Sequence, residues 1–210
     1  MLSTVSAARS VGVPVGTIAG LVLAAGGGRR YGGPKALIRH EDGRLLVERA
    51  AANLRAGGCT PVFVVLGAEA DRVRGEARLA DTSLVDNPDW KSGMASSLRA
   101  GLAALADTDV DAAAVLLVDT PGIGPEAVSR LVTATDGRGA LLTATYGGRR
   151  GHPVILGRDH WAGVAALATA DVGARAYLAA HSTEVRRVPC EDVADDTDLD
   201  MPPAQAGTGR

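Results

Sequence analysis

Leu21-Val22-Leu23-Ala24-Ala25-Gly26-Gly27-Gly28-Arg29-Arg30-Tyr31-Gly32-Gly33-Pro34-Lys35 passes from an apolar run into a loop with five glycines and three cations. Glycine admits positive φ and lets backbone come close to a ligand, so successive N–H groups can converge on an anion while Arg30 and Lys35 balance its charge. The run before it, 17–24, reads as a strand that delivers this loop to a sheet edge. Neither familiar phosphate loop can be written here. Gly28 and Gly33 have the P-loop separation, but Pro34 occupies the lysine slot and no hydroxyl follows; the Gly-x-Gly-x-x-Gly pattern also fails across 26–33.

Working outward, β-rich apolar runs recur at 17–24, 61–67, 82–86, 112–119, 140–146, 152–156 and 184–189. Helix-like segments lie between most of them. Leu98, Leu102 and Leu105 share one face of a helix over 96–106, and Leu46, Ala50 and Leu54 share one face of another over 44–56, closed by Gly57-Gly58. Strand followed by helix, repeated through the first half, predicts right-handed βαβ units and a mainly parallel sheet covered on both faces. Such sheets hold ligands at the carboxyl ends of their strands. The second half departs from this alternation: Gly147-Gly148-Arg149-Arg150-Gly151 separates two strands and reads as a hairpin.

The 210 residues, 46% hydrophobic, suit one α/β core. We expect a domain over 17–202, a flexible leader over 1–16 with Val11, Val13 and Val15 alternating, and a flexible tail over 203–210. A net charge of −2 argues against nucleic acid as a partner, so any anion site is local. Neither a membrane segment nor a secretory signal is expected near the N-terminus. Cys59 and Cys190 form no metal-binding or disulfide pattern, which points to the cytoplasm.

The apolar stretch 112–118 ends abruptly in Asp119-Thr120-Pro121. A carboxylate leaving a buried strand opposite a phosphate loop is a sufficient anchor for Mg2+, which takes few protein carboxylates and keeps its other positions for water and phosphate oxygens. Considered alone, Asp119 reads equally as a turn or cap residue before the helix starting at Pro125.

Four separated segments, in order, resemble the MobA/MocA-like nucleotidyltransferases that attach a nucleotide to molybdopterin. Leu23-Ala24-Ala25-Gly26 with Arg30-Tyr31-Gly32-Gly33-Pro34-Lys35 is similar to the family's Leu-Ala-Ala-Gly-x-x-x-Arg-Met-Gly-x-Pro-Lys, with Tyr31 in place of Met. Asn87-Pro88-Asp89-Trp90-Lys91-Ser92-Gly93-Met94-Ala95-Ser96-Ser97-Leu98 looks like Asn-Pro-x-Trp-x-x-Gly-Met-x-Ser-Ser-Leu. Asp119-Thr120-Pro121 resembles Asp-Gln-Pro, with Thr120 for Gln, and Asp198-Leu199-Asp200-Met201-Pro202 resembles Asp-Ile-Asp-Thr-Pro.

The resemblance implies a three-layer, Rossmann-like nucleotidyltransferase fold of the GT-A type. It implies nucleotide binding along Ala24, Ala25, Gly26, Gly27, Lys35, Ser96 and Ser97, where ordinary capping is the plain alternative for the serines and packing for Trp90. Asp119 takes the magnesium, completed by Asp198 or, as the favoured choice, Asp200; a solvated acidic run is the competing reading of that segment. Arg30 holds the leaving pyrophosphate and Lys35 bridges the acceptor and α-phosphates. Gly147 to Val154 resembles an acceptor-facing loop in which Arg149 or Arg150 binds phosphate and His152 donates a hydrogen bond. Ala24-Ala25-Gly26 and Pro34-Lys35 look more like the cytidylyl than the guanylyl branch. The implied reaction is therefore CMP transfer from CTP to molybdopterin cofactor, for use by a recipient molybdoenzyme or its chaperone. Another small-phosphate or sugar-phosphate nucleotidyltransferase, guanylyl transfer, and a non-catalytic carrier of the cofactor are the alternatives.

Overall fold

The structure, a computed structural model, describes residues 16–28 and 31–199. The leader with its alternating valines (1–15), Arg30, Asp200 and the 203–210 tail, all singled out above, lie outside the described residues.

Seven strands form one sheet: β1 (Ile18–Leu23), β2 (Val62–Leu66), β3 (Ser83–Asp86), β4 (Ala112–Leu117), β5 (Leu141–Tyr146), β6 (Arg149–Gly157) and β7 (Arg186–Pro189). Their order is β3-β2-β1-β4-β6-β5-β7. β1 pairs in parallel with β2 and β4, β2 with β3, and β5 with β7, while β6 runs antiparallel to both of its neighbours. The expectation of a mainly parallel α/β sheet of Rossmann-like type is met, and the reversal at β6 is where the alternation in the sequence stops.

Residues of β1 point alternately into two cores, as a strand buried on both sides must. Ile18 and Val22 join α1 (Leu46–Ala56) and α4 (Pro125–Ala134) on one face; Ala19, Leu21 and Leu23 join α3 (Met94–Ala106), α5 (Trp161–Leu167) and α6 (Arg175–Ala180) on the other. One further helix, α2 (Ala70–Glu76), links β2 to β3. Gly101 lets α3 lie close to β1: a Cβ there would stand 2.6 Å from a Leu21 methyl. No described helix is long and apolar enough to cross a membrane.

Two boundaries differ from the sequence reading. β4 leaves the sheet at Leu117, so Asp119 stands beyond the last paired residue instead of within the strand. β6 begins at Arg149, where 147–151 was expected as an irregular connection. The turn consumes only Gly147 and Gly148, both at positive φ (+56° and +78°), the conformation of a two-residue hairpin turn, so Arg149, Arg150 and Gly151 are drawn into the strand.

Candidate active site

Strands β1 and β4 lie side by side, parallel, with Leu23 paired to Leu117. The loop after β1 and the turn after β4 therefore emerge at the same carboxyl edge. Gly28, at φ +57°, turns its carbonyl back to accept the N–H groups of Tyr31, Gly32 and Gly33 at 2.9, 2.9 and 3.3 Å. The chain then enters a short 3-10 turn, Lys35–Leu37, which aims Lys35 across the sheet edge. Its Nζ donates to Asp119 Oδ2 at 2.9 Å. The other carboxylate oxygen, Oδ1, is buried and has no hydrogen-bond partner among the described residues. A buried anionic oxygen without a donor is costly, and that cost is relieved when a cation reaches it.

A cavity of about 400 Å³ opens over this pair. Its walls include the backbone of 25–28, Lys35, Trp90, Ser97 and Asp119. Trp90 packs directly on the glycine loop, since a Cβ at Gly27 would sit 2.9 Å from its ring; it is at once a packing residue and a cavity wall. Two of the residues expected at the nucleotide are not in the wall. Ala24 is buried in the core and its N–H is bound to the Val65 carbonyl at 3.0 Å. Ser96 is turned inward, its hydroxyl 2.8 Å from the Gly93 carbonyl and 3.1 Å from that of Asp89.

The first turn of α3 is held by Asn87, only 4% exposed. Its amide donates to Ser96 Oγ (2.8 Å) and Ser97 Oγ (3.0 Å), and its Oδ1 accepts the Asp89 N–H (3.0 Å). Replacing it with Ala leaves the Asp89 N–H and two buried hydroxyls without that partner, so Asn87→Ala is expected to cost about 2–3 kcal/mol of folding stability. It should also loosen Ser97 in the cavity wall and so weaken any nucleotide held there. Thermal unfolding together with nucleotide titration checks both effects.

A second cavity of about 260 Å³ adjoins the first and shares Met94, Leu117 and Asp171 with it. Arg149, Arg150 and His152 all line it, together with Asp198. Thr120 also faces it, and its hydroxyl donates to the Leu117 carbonyl at 3.1 Å. Arg149 is paired with Asp196 at 3.1 Å, and Arg150 donates to the Leu178 carbonyl at 3.3 Å. The packing around His152 lowers its pKa to about 4; Asp119 works against that shift and Arg175 with it. At neutral pH the ring is uncharged, one nitrogen a donor and the other an acceptor.

The segment after β7 closes the arrangement. Asp195 N–H reaches the Gly122 carbonyl (3.2 Å), and Leu199 N–H reaches the Asp119 carbonyl (3.0 Å). Asp198 is thereby held beside the turn that carries Asp119. No group of three or more His, Cys, Asp and Glu side chains among the described residues forms a ready metal cage. One or two carboxylates beside a cavity for phosphates is, however, the donor set that a hard divalent cation takes when substrate oxygens complete its sphere. Asp171 and Arg175 were not singled out by sequence. Asp171 lies on the 3-10 turn Ala170–Val172, accepts the Met94 N–H at 3.3 Å and belongs to both cavities. The only signal for Arg175 was a lone cation among small residues.

A model of the MobA-like NTP transferase domain matches residues 20–185. The chain belongs to this family. The MobA-like assignment agrees with the motif resemblance, and relatives extend it. Nicotine blue oxidoreductase from Paenarthrobacter nicotinovorans is 40% identical over 191 residues, covering 87% of this chain and 92% of that protein. Among solved structures, Rv0371c from Mycobacterium tuberculosis H37Rv aligns over 88% of this chain and 93% of its own, with a TM-score of 0.74 and 26% identity. A manganese complex of Rv0371c aligns with a TM-score of 0.67 and 27% identity over 82% and 87% of the two chains. Thus the MobA-like scaffold is found both in a protein named for redox chemistry and in one solved with a divalent metal.

Proposed function

We propose that this MobA-like protein transfers a nucleotidyl group, CMP from CTP, to the phosphate of molybdopterin cofactor, releasing pyrophosphate. The observation that carries the reading is Asp119, with one oxygen on Lys35 and the other buried and without a hydrogen-bond partner among the described residues, in the wall of the larger of two adjoining cavities. The larger, with its glycine-loop backbone, Lys35 and Ser97, takes the nucleoside triphosphate; the smaller, with Arg149, Arg150 and His152, takes the acceptor. Arg30, by its motif, holds the departing pyrophosphate.

An acceptor phosphate is already anionic, so the residues have no proton to remove from the nucleophile. They place it in line with the α-phosphate and neutralise the charge that develops there. Lys35 exchanges Asp119 for phosphate oxygens as substrate enters. Asp119, with Asp198 or Asp200, would hold Mg2+, which when bound supplies electrophilic stabilisation of the triphosphate. The buried thiols Cys59 and Cys190 suit the reducing cytoplasm in which we place the reaction.

The 40% identical relative favours a second reading, electron transfer to a small heteroaromatic acceptor, with the nucleotide of a redox cofactor in the larger cavity. One matrix of assays decides between them. CTP, GTP and other NTPs are crossed with molybdopterin cofactor and sugar 1-phosphates, scoring pyrophosphate; NADH and NADPH are crossed with nicotine blue, scoring nicotinamide oxidation. We expect pyrophosphate only with CTP and molybdopterin cofactor. Turnover with a sugar 1-phosphate alone moves the substrate, turnover with GTP moves the base, and nicotinamide oxidation without pyrophosphate replaces the reading. Cofactor binding without any turnover identifies a carrier.

A further inference from the structure

Of the three guanidinium groups lining the smaller cavity, those of Arg149, Arg150 and Arg175, that of Arg149 is neutralised by Asp196 at 3.1 Å. Arg150 spends one N–H on the Leu178 carbonyl of α6, at 3.3 Å, and has no carboxylate partner among the described residues. Arg175, at the start of α6, makes neither a hydrogen bond nor an ion pair with any described residue. Leu178 and Arg175 are three residues apart on the same helix and both line the cavity, so Arg150 and Arg175 both border its α6 wall. The phosphate that attacks the nucleotide belongs, on the reading above, toward Lys35 and Asp119, which line the adjoining larger cavity. Arg150 and Arg175, the latter exposed, therefore remain on the α6 wall without an ion pair to any described residue, in a cavity that Asp171, Asp196 and Asp198 also line.

The geometry points to a second anion subsite formed by Arg150 and Arg175, and hence to an acceptor that carries another anionic group besides its attacking phosphate. Two forked guanidiniums suit a carboxylate or a second phosphate, each offering paired acceptor atoms. Arg175 is then a specificity-determining residue: it selects acceptors by charge at the end remote from the reaction. This inference rests on the nucleotidyl-transfer reading for where the attacking phosphate sits.

The test uses binding alone, on the full chain without metal or NTP. Glycerol 3-phosphate and 3-phosphoglycerate differ by a hydroxymethyl group against a carboxylate, and both are followed by 31P NMR titration at physiological ionic strength. Wild type is expected to bind 3-phosphoglycerate at least about tenfold more tightly, one charge-assisted contact. Arg175→Gln should bring the two within about twofold, and Arg175→Lys should keep part of the preference, a charge without the fork. Arg72→Gln, which removes an exposed cation from α2, should leave it unchanged, and circular dichroism checks that every variant is folded. Equal affinities in wild type, a preference that survives Arg175→Gln, one equally lost in Arg72→Gln, or no binding of either probe overturns the subsite. Absence of pyrophosphate release with the preference intact would instead remove the transferase reading and leave the subsite standing.

Discussion

Asp119→Asn is expected to fold normally and to lose metal-dependent turnover by two to three orders of magnitude, or ~3–4 kcal/mol of transition-state stabilisation. The swap is nearly isosteric, and the amide oxygen still offers Lys35 Nζ an acceptor in place of the present 2.9 Å contact. What disappears is the anionic character of an oxygen that is buried and has no hydrogen-bond partner among the described residues. Without metal, stability should therefore hold or rise, because a buried charge has been removed. Initial rates over a magnesium titration, with thermal unfolding in parallel, check both halves. Near-wild-type turnover of the variant at limiting magnesium would refute the role given to Asp119.

Gly28→Ala is expected to cost as much in activity by a different route. Gly28 sits at φ +57°, and a Cβ there would lie 1.8 Å from the Gly33 carbonyl oxygen and 2.8 Å from its carbon. Both are backbone atoms, so no side-chain rotation relieves the clash and the 28–33 turn must open. Lys35 is its next anchored residue, with its backbone nitrogen 3.5 Å from the added carbon. The loop lies outside the hydrophobic cores, so the melting temperature should fall by only a few degrees, about 1–2 kcal/mol. The cation that faces Asp119 is displaced, and kcat/KM for the triphosphate should drop ~100-fold or more, since misplacement by about 1 Å can have that effect. Kinetics with calorimetry separate the two; unchanged kcat/KM would mean that the tight turn is incidental.

The central sheet was legible because its signals are local. The apolar run of β4, the leucine spacing of α3 and the Gly57-Gly58 stop of α1 each follow from short-range periodicity or turn chemistry. The start of β6 was placed late because Gly147-Gly148 alone makes the turn, and Arg149-Arg150-Gly151, polar and glycine-bearing, has no apolar alternation to reveal its pairing with β5. In the site, Lys35 and Asp119 were both singled out, yet their contact depends on the pairing of β1 with β4, strands separated by most of a hundred residues. Arg175 and Asp171 carry no motif at all. They matter only because the turn before α6 folds against Gly93 and the first turn of α3, where a Cβ on Gly93 would stand 2.6 Å from the Ala170 backbone.

The bond from Leu199 N–H to the Asp119 carbonyl joins two segments far apart in the chain. β1 and β2 are near neighbours in the chain and can pair at small loop-closure cost, whereas pairing β4 with β1 and tying the 190–199 segment to the turn after β4 each close a much longer loop. The cavity edge around Asp119 thus depends on both of these long-range closures. A folding intermediate with β1, β2 and α1 already in place would possess the glycine loop while lacking its opposing carboxylate. On the proposed reading, the backbone meant for the triphosphate would then be present before a competent centre exists, and recovery of activity on refolding is expected to lag behind recovery of secondary structure.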